Sequence, residues 1–187
     1  MSGPRGKPAF TLIEVLVVIA IIALMATIVI PNLRPTRLSV GRQTFIAQLN
    51  ELTQFAWRRA VTTRLITRLL FDFSARTARV EQQIPNRFEK GEPQFEPARG
   101  GPGTISWSTW IQIRHFAIDG FDEMSRAMGN RKTEESWFYV MPDGITQQVT
   151  IGLVDTKDVI STGKPRSVTL EINPFTAQFK VTDGATR

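Results

Sequence analysis

The chain has 187 residues, of which 42% are hydrophobic and 21% charged, with no cysteine and one histidine. That composition fits one folded domain and excludes wholesale disorder, a disulfide scaffold, a thiol nucleophile and a Cys/His metal cluster. The formal net charge of +6 is uneven: residues 31–90 hold eleven Lys or Arg against four Asp or Glu, and residues 91–187 hold ten against twelve. Such a basic stretch suits acidic neighbours, anionic headgroups or nucleic acid, since all three use the same long-range attraction.

Residues 1–9 form a short leader with Arg5, Lys7 and no acidic residue. Residues 10–30 follow as FTLIEVLVVIAIIALMATIVI, in which Glu14 is the single charge. At about 1.5 Å per helical residue this stretch is roughly 30 Å long, the hydrocarbon thickness of a bilayer. It is apolar all round, so its partners are lipid or other helices. The basic leader predicts a single-pass anchor with a cytoplasmic N-terminus and the rest of the chain outside. A carboxylate costs about 2.5 to 3.5 kcal/mol at a bilayer centre and less near its edge, so Glu14 calls for a partner.

Pro31 and Pro35 lack amide donors and predict a kink or a locally melted turn. Beyond them Leu38, Phe45, Leu49, Leu52, Ala56 and Ala60 recur at helical spacing, a stripe that must lie on something apolar. One long helix over residues 10–62 is predicted, apolar in its first half and amphipathic in its second. Residues 64–73 and 77–84 read as a β-hairpin about a turn at 74–76. Residues 85–103, with four Pro and four Gly, read as an exposed loop. Residues 104–118 read as a strand with a bulge or turn at Ser108 and Thr109. Residues 119–133 read as a loop with one helical turn near 123–128. In 136–154 a Pro-Asp-Gly turn separates two strands, read as a hairpin, and residues 167–182 form a further hairpin joined at 173–176.

The sequence holds no catalytic constellation, metal site or cofactor motif. His115 has no Cys or second His to work with, and it reads as structural. Gly100, Gly101 and Gly103 are loop punctuation without a phosphate-cradling pattern. Asp119, Asp122 and Glu123 offer oxygen ligands, but their spacing fits no EF-hand and a solvated loop is the better reading. Trp107, Trp110, Phe116, Trp137, Phe138 and Tyr139 read as core, with one or two at an interface. Arg58, Arg59, Arg64, Arg68, Arg76 and Arg79 leave two alternatives open. They pair with solvent and acidic neighbours, or they bind DNA phosphates, in which case affinity falls steeply with salt.

The basic leader, the FTLIE run, the unbroken apolar helix and Pro31 resemble the N-terminus of type IV pilins and type II secretion pseudopilins. The resemblance implies that a prepilin peptidase cuts between Ala9 and Phe10 and methylates the new Phe10 amine. It also implies that Glu14 pairs with the N-terminal amine of a neighbouring subunit during assembly, and that Pro31 lets the helix bend. The family carries Gly before the cut, where this chain has Ala9. An ordinary signal anchor is the plain alternative. AWRRAVTTRLITRLLFD, FYVMPDGITQQVTIGL and SVTLEINPFTAQFKV are similar to stretches of H-type minor pseudopilins and related minor pilins. The implied fold class is α+β, a long N-terminal helix packed on an antiparallel β-sandwich. Its expected segments are a leader at 1–9, an assembly helix at 10–30, an amphipathic continuation at 31–62 and a periplasmic β-rich domain at 63–187. The implied protein is not an enzyme but a minor pseudopilin of the bacterial inner membrane. Its implied partners are other major and minor pseudopilins, the peptidase and an inner-membrane assembly platform. A DNA-binding minor pilin and a structural subunit of a surface fibre remain the alternatives.

Overall fold

The computed structural model describes residues 12–124, 134–160 and 162–183, the side chains of 28–39 and of 183 excepted. The chain divides into two compact units, Met1–Leu38 and Ser39–Arg187. The helix α1, Leu12–Thr63, supplies most of what is described in the first unit and the opening element of the second. It continues through Pro31 and Pro35, so the expected melted turn is absent. Each proline removes one backbone hydrogen bond at a cost of about 3 kcal/mol, and the long helical runs on either side keep theirs. Residues 10 and 11 of the expected helix lie outside the described residues.

α1 ends where Arg64 turns left-handed (φ 58°) and its amide still donates to the Ala60 carbonyl at 3.0 Å. Strands β1, Thr67–Asp72, and β2, Thr77–Glu89, then form the expected hairpin, in register from Thr67 opposite Gln82 to Asp72 opposite Thr77. In its turn the Asp72 carboxylate accepts the Ala75 amide and the Ser74 hydroxyl, both at 2.7 Å. Those donors, the amide foremost, hold Asp72 below the usual carboxylate range.

The loop expected over 85–103 is in its first part a second hairpin. β2 runs on to Glu89 and turns at Lys90 and Gly91 into β3, Glu92–Pro97. The ladder shifts register between Gln83 and Phe88, and β3 is the edge of its sheet. Proline is tolerated at bulges and on edge strands, which is why Pro85, Pro93 and Pro97 do not prevent pairing.

β4, Ile105–Ser106, pairs with β2, and after the expected turn at Ser108 the chain enters β5, Ile111–Ile118, in the other sheet. Asp119 and Gly120, both at positive φ, make a two-residue turn into β6, Phe121–Asp122. The helical turn expected near 123–128 lies largely outside the described residues. β7, Glu135–Val140, and β8, Val149–Val159, do not form the expected hairpin. β7 pairs with β1 and β8 with β5 and β9, so the Pro-Asp-Gly turn is a corner between sheets held by one bridge, Val140 to Thr146. β9, Pro165–Asn173, and β10, Gln178–Asp183, form the closing hairpin as expected.

The result is two antiparallel sheets, β3-β2-β1-β7 with β4 beside β2, and β10-β9-β8-β5-β6. Their inner faces meet through aromatic pairs: Phe71 and Phe116 at 5.0 Å between ring centroids, Phe138 and Phe179 at 6.3 Å. Phe45, Leu49, Leu52, Ala56 and Ala60 of α1 complete the core, which bears out the amphipathic stripe; the Leu38 side chain is outside the described set. The fold class is thus the expected α+β arrangement of a helix on a two-sheet β unit.

Polar side chains of α1 finish what the sheets leave open. Asn50 accepts the Phe179 amide at 2.7 Å and donates back to its carbonyl at 3.4 Å, standing in for a neighbouring strand at the edge β10. Gln54 donates to the Thr176 and Ala177 carbonyls, and Thr67 of β1 donates to the Ala56 carbonyl at 3.0 Å. Arg42 bonds Asp158 at 2.8 Å and stands 3.5 Å from the buried Asp155, while Arg166 reaches Asp158 from β9 at 2.9 Å. Burial works to raise the Asp158 carboxyl, but the Arg42 hydrogen bond and the two guanidinium charges outweigh it and hold the group low.

Candidate functional site

The first unit offers one chemical feature among its described residues, an exposed apolar helix surface. Leu12 is 82% exposed and Met25 63%, and the leucines, isoleucines and valines between them are exposed on every side. No soluble surface helix is built this way, because each of these side chains prefers hydrocarbon or another helix to water. Glu14 lies in the first described turn of α1, and it makes no ion pair among the described residues. Among the described residues no helix is long and apolar enough to cross a membrane; of the expected 10–30 span, side chains are described for 12–27. Ala9 and Phe10 lie outside the described residues, and Pro31 is described in its backbone alone.

The six singled-out arginines do not converge. Arg68 pairs with Glu81 at 2.7 Å, and Arg79 meets the other oxygen of the same carboxylate at 2.9 Å. Arg59 is spent on Gln82 and on the Arg99 carbonyl. Arg58, Arg64 and Arg76 are exposed, but Arg64 precedes β1 and Arg76 follows it, which puts their backbones on the order of 20 Å apart. The register of β1 and β2 explains this: Arg68 stands opposite Glu81, a cross-strand pairing that residue spacing alone does not reveal.

The aromatic residues mostly enter the core, as expected. Trp107, Phe116 and Phe138 are buried, Trp110 is half-buried under Lys157 (3.6 Å to its ring centroid), and Trp137 is 38% exposed. Trp137 belongs to a cluster on the outer face of the first sheet that the sequence analysis missed. Its indole N–H donates to the Tyr139 hydroxyl at 3.0 Å, and the Arg68 guanidinium lies between the Phe95 ring (4.3 Å) and the Trp137 ring (4.9 Å). Alternation of Arg68, Glu81, Phe95, Trp137 and Tyr139 on the outward positions of their strands is the signal that would have found it.

His115 stands 3.1 Å from Asp122 across the β5–β6 turn, a structural pairing. Asp119 accepts the Gln147 side-chain amide at 2.9 Å and the Gln148 backbone amide at 3.0 Å, and Asp122 accepts the Met124 amide at 3.0 Å. The acidic cluster therefore braces the loop, and the described residues contain no group of carboxylates and histidines placed to hold a metal ion.

Residues 5–30 match the prokaryotic N-terminal methylation motif. The chain is 45% identical over 51 residues to the type IV wide pilus major component PilA4 of Thermus thermophilus, a match over 27% of this chain and 39% of that one. The chain thus spans about two fifths of the length of that relative. In structure it is similar to the minor pseudopilin EpsH from the type II secretion system of Vibrio cholerae, with a TM-score of 0.45 to each of two solved chains. Those matches have 8% and 13% sequence identity and cover 79% and 80% of this chain, and 98% and 96% of the EpsH chains. At its N-terminus, then, the chain is pilin-like, and residues 12–27 of the matched motif lie on a largely exposed apolar helix.

Proposed function

We propose that this pilin-like chain is a non-enzymatic structural subunit, a minor pseudopilin stored in the bacterial inner membrane and drawn into a periplasmic filament of the type II secretion kind. A prepilin peptidase would cut between Ala9 and Phe10 and methylate the Phe10 amine. The observation that carries the reading is Glu14 in the first turn of a helix whose apolar side chains are exposed on every side, inside the matched methylation motif. Helices of this kind leave lipid without penalty when they bundle with their like. A carboxylate buried in the bundle would cost several kcal/mol unless it met a neighbour's N-terminal amine, so the pair sets the register. Other pilin-type subunits and the membrane platform that lifts them are the partners this mechanism needs. The commitment of Arg59, Arg68 and Arg79 within the chain weighs against a phosphate-binding role for the six arginines as a group.

Glu14→Ala tests the mechanism in cells of the source bacterium. The variant is expected to stay in the membrane at wild-type amount, with Phe10 as its N-methylated first residue by mass spectrometry, yet to be missing from sheared or overexpressed filaments. Normal incorporation overturns the assembly role, and a chain that retains residues 1–9 overturns the pilin pathway.

A further inference from the structure

Within the unit Ser39–Arg187, α1 is held in two different ways along its length. From Phe45 to Ala60 it is held by apolar side chains buried in the core. Residues 40–44 bury no apolar side chain, and Val40, Gln43 and Thr44 are exposed. Among the described residues, the side-chain hydrogen bond that ties this stretch to the sheets is made by Arg42.

Arg42 reaches an irregular stretch of strand. The β8–β9 register shifts between Asp155 and Val159, and the Asp155 carboxylate shapes the bulge by accepting the Lys157 amide at 3.0 Å and the Asp158 amide at 3.2 Å. The bulge is tied back to Trp110, whose carbonyl accepts the Thr156 amide at 2.9 Å and the Thr156 hydroxyl at 3.1 Å, while the Lys157 amine lies over its ring. α1 passes close to the same tryptophan, since a Cβ on Gly41 would stand 3.5 Å from its Nε1. Arg42 thus faces two carboxylates at once, Asp158 at 2.8 Å and Asp155 at 3.5 Å, and Asp158 is shared with Arg166 of β9. Asp155 is 1% exposed and its Oδ2 accepts no hydrogen bond from a described residue, so the nearby Arg42 charge is what compensates it.

We propose that Arg42, Asp155, Asp158 and Arg166 form a catch that fixes where α1 joins the β unit: closed, it docks residues 40–44 on the β8–β9 bulge, and open, it lets them part from the bulge while Phe45 to Ala60 stay in the core. Local opening is carried by segments with few buried apolar contacts, and residues 40–44 are such a segment. Withdrawing Arg42 leaves Asp155 buried without its counter-charge, an unfavourable state that water must enter to relieve. The same charge that docks the turn therefore drives the two sides apart once it is gone. The inference does not depend on the filament reading, since both sides of the catch lie in the unit Ser39–Arg187.

The chain has no cysteine, so nitroxide labels can be placed at chosen sites of the full chain in nanodiscs. Two label pairs are read by pulsed electron spin resonance, Val40→Cys with Glu171→Cys and, as the control, Glu51→Cys with Glu171→Cys; all three positions are exposed. Without further substitution both distance distributions should be narrow. Arg42→Gln is expected to widen the first about twofold and to leave the second unchanged. Asp158→Asn should widen the first pair less, because Asp155 still faces Arg42, and Arg42→Lys, which keeps the charge but not the planar fork, should fall between the wild type and Arg42→Gln. A first pair that is broad from the start, or that stays narrow in Arg42→Gln, overturns the proposal. Equal widening of both pairs overturns it too, since the helix would then be loosened as a whole. Should Arg42→Gln lose the near-ultraviolet circular dichroism of the fold, Asp158→Asn decides by the same reading of the two pairs.

Discussion

Glu81 shows how much one side chain can hold when it is nearly out of water. It is 4% exposed, and its two oxygens each take one arginine, Arg68 at 2.7 Å and Arg79 at 2.9 Å, so a single carboxylate is the shared counter-ion of two of the six singled-out cations. Glu81→Gln removes the charge but keeps the shape, leaving two partly exposed guanidinium groups without a counter-ion. A loss of about 2 kcal/mol in a urea titration of the full chain in micelles is expected. Asp158 makes the matching statement about pH. Its folded value lies below the ordinary 3.8, so the stability it supplies is complete above that value and is lost as pH falls through the lower folded one. The urea midpoint should be level from pH 7 to 5 and drop below about pH 4. Asp158→Asn should flatten part of that drop and lower neutral stability by on the order of 1 kcal/mol. Neither pairing was legible beforehand. Glu81 meets Arg68 through strand register and Asp158 meets Arg42 across 116 residues of sequence, whereas Glu14 was conspicuous because an apolar run surrounds it.

Elements were legible where a local rule decides them and opaque where a distant partner does. The stripe from Phe45 to Ala60 and the hairpins expected over residues 64–84 and 167–182 follow from periodicity and turn chemistry, and strand pairs form at both places. Residues 85–97 were misread because proline was weighed as if every strand were central, while this one is an edge with a register shift. The Pro-Asp-Gly segment was read correctly as a turn and wrongly as a hairpin, since a turn says that the chain bends and not which strands it joins. That corner makes its own demand. Gly144 is buried at φ 86°, and its carbonyl accepts the Trp57 indole N–H at 2.7 Å. A Cβ there would sit 3.3 Å from the Trp57 Nε1 and 3.4 Å from the Val61 Cγ2. Gly144→Ala combines a left-handed backbone with that crowding, and a loss of about 1 to 2 kcal/mol is expected by the same urea titration. Gly163 has a similar φ (78°) but open space around it, so Gly163→Ala should cost less, about 1 kcal/mol of backbone strain alone.

At the scale of the whole chain, the division at residue 38 separates two kinds of stability. Every core residue among those described lies between Phe45 and Phe179, so the unit Ser39–Arg187 holds its own hydrophobic core, while the described apolar side chains from Leu12 to Met25 are exposed. A fragment of residues 39–187 is therefore expected to fold without detergent and to keep the near-ultraviolet circular dichroism of the full chain. Aggregation of that fragment with loss of the signal would show that the helix before residue 39 is needed for the β unit to hold together. The sequence shows the contrast behind this division, because residues 10–30 suit hydrocarbon and the remainder suits water, but not its place at residue 38, inside the expected continuation over 31–62. The stripe from Phe45 to Ala60 also pointed to a helix packed on the β unit, but the capping role of its polar positions stayed hidden, since Asn50 and Gln54 look like ordinary solvated positions until the strand they cap is in view.

The same division decides what light can report. The four tryptophans, Trp57, Trp107, Trp110 and Trp137, all lie in the unit Ser39–Arg187, as does the single tyrosine, Tyr139. Intrinsic emission of the intact chain is therefore a readout of the β unit alone. Under the proposed function, transfer of the helix from lipid into a bundle would reach this emission only through contacts of the β unit, so a dye on the first unit paired with these indoles would register the transfer itself.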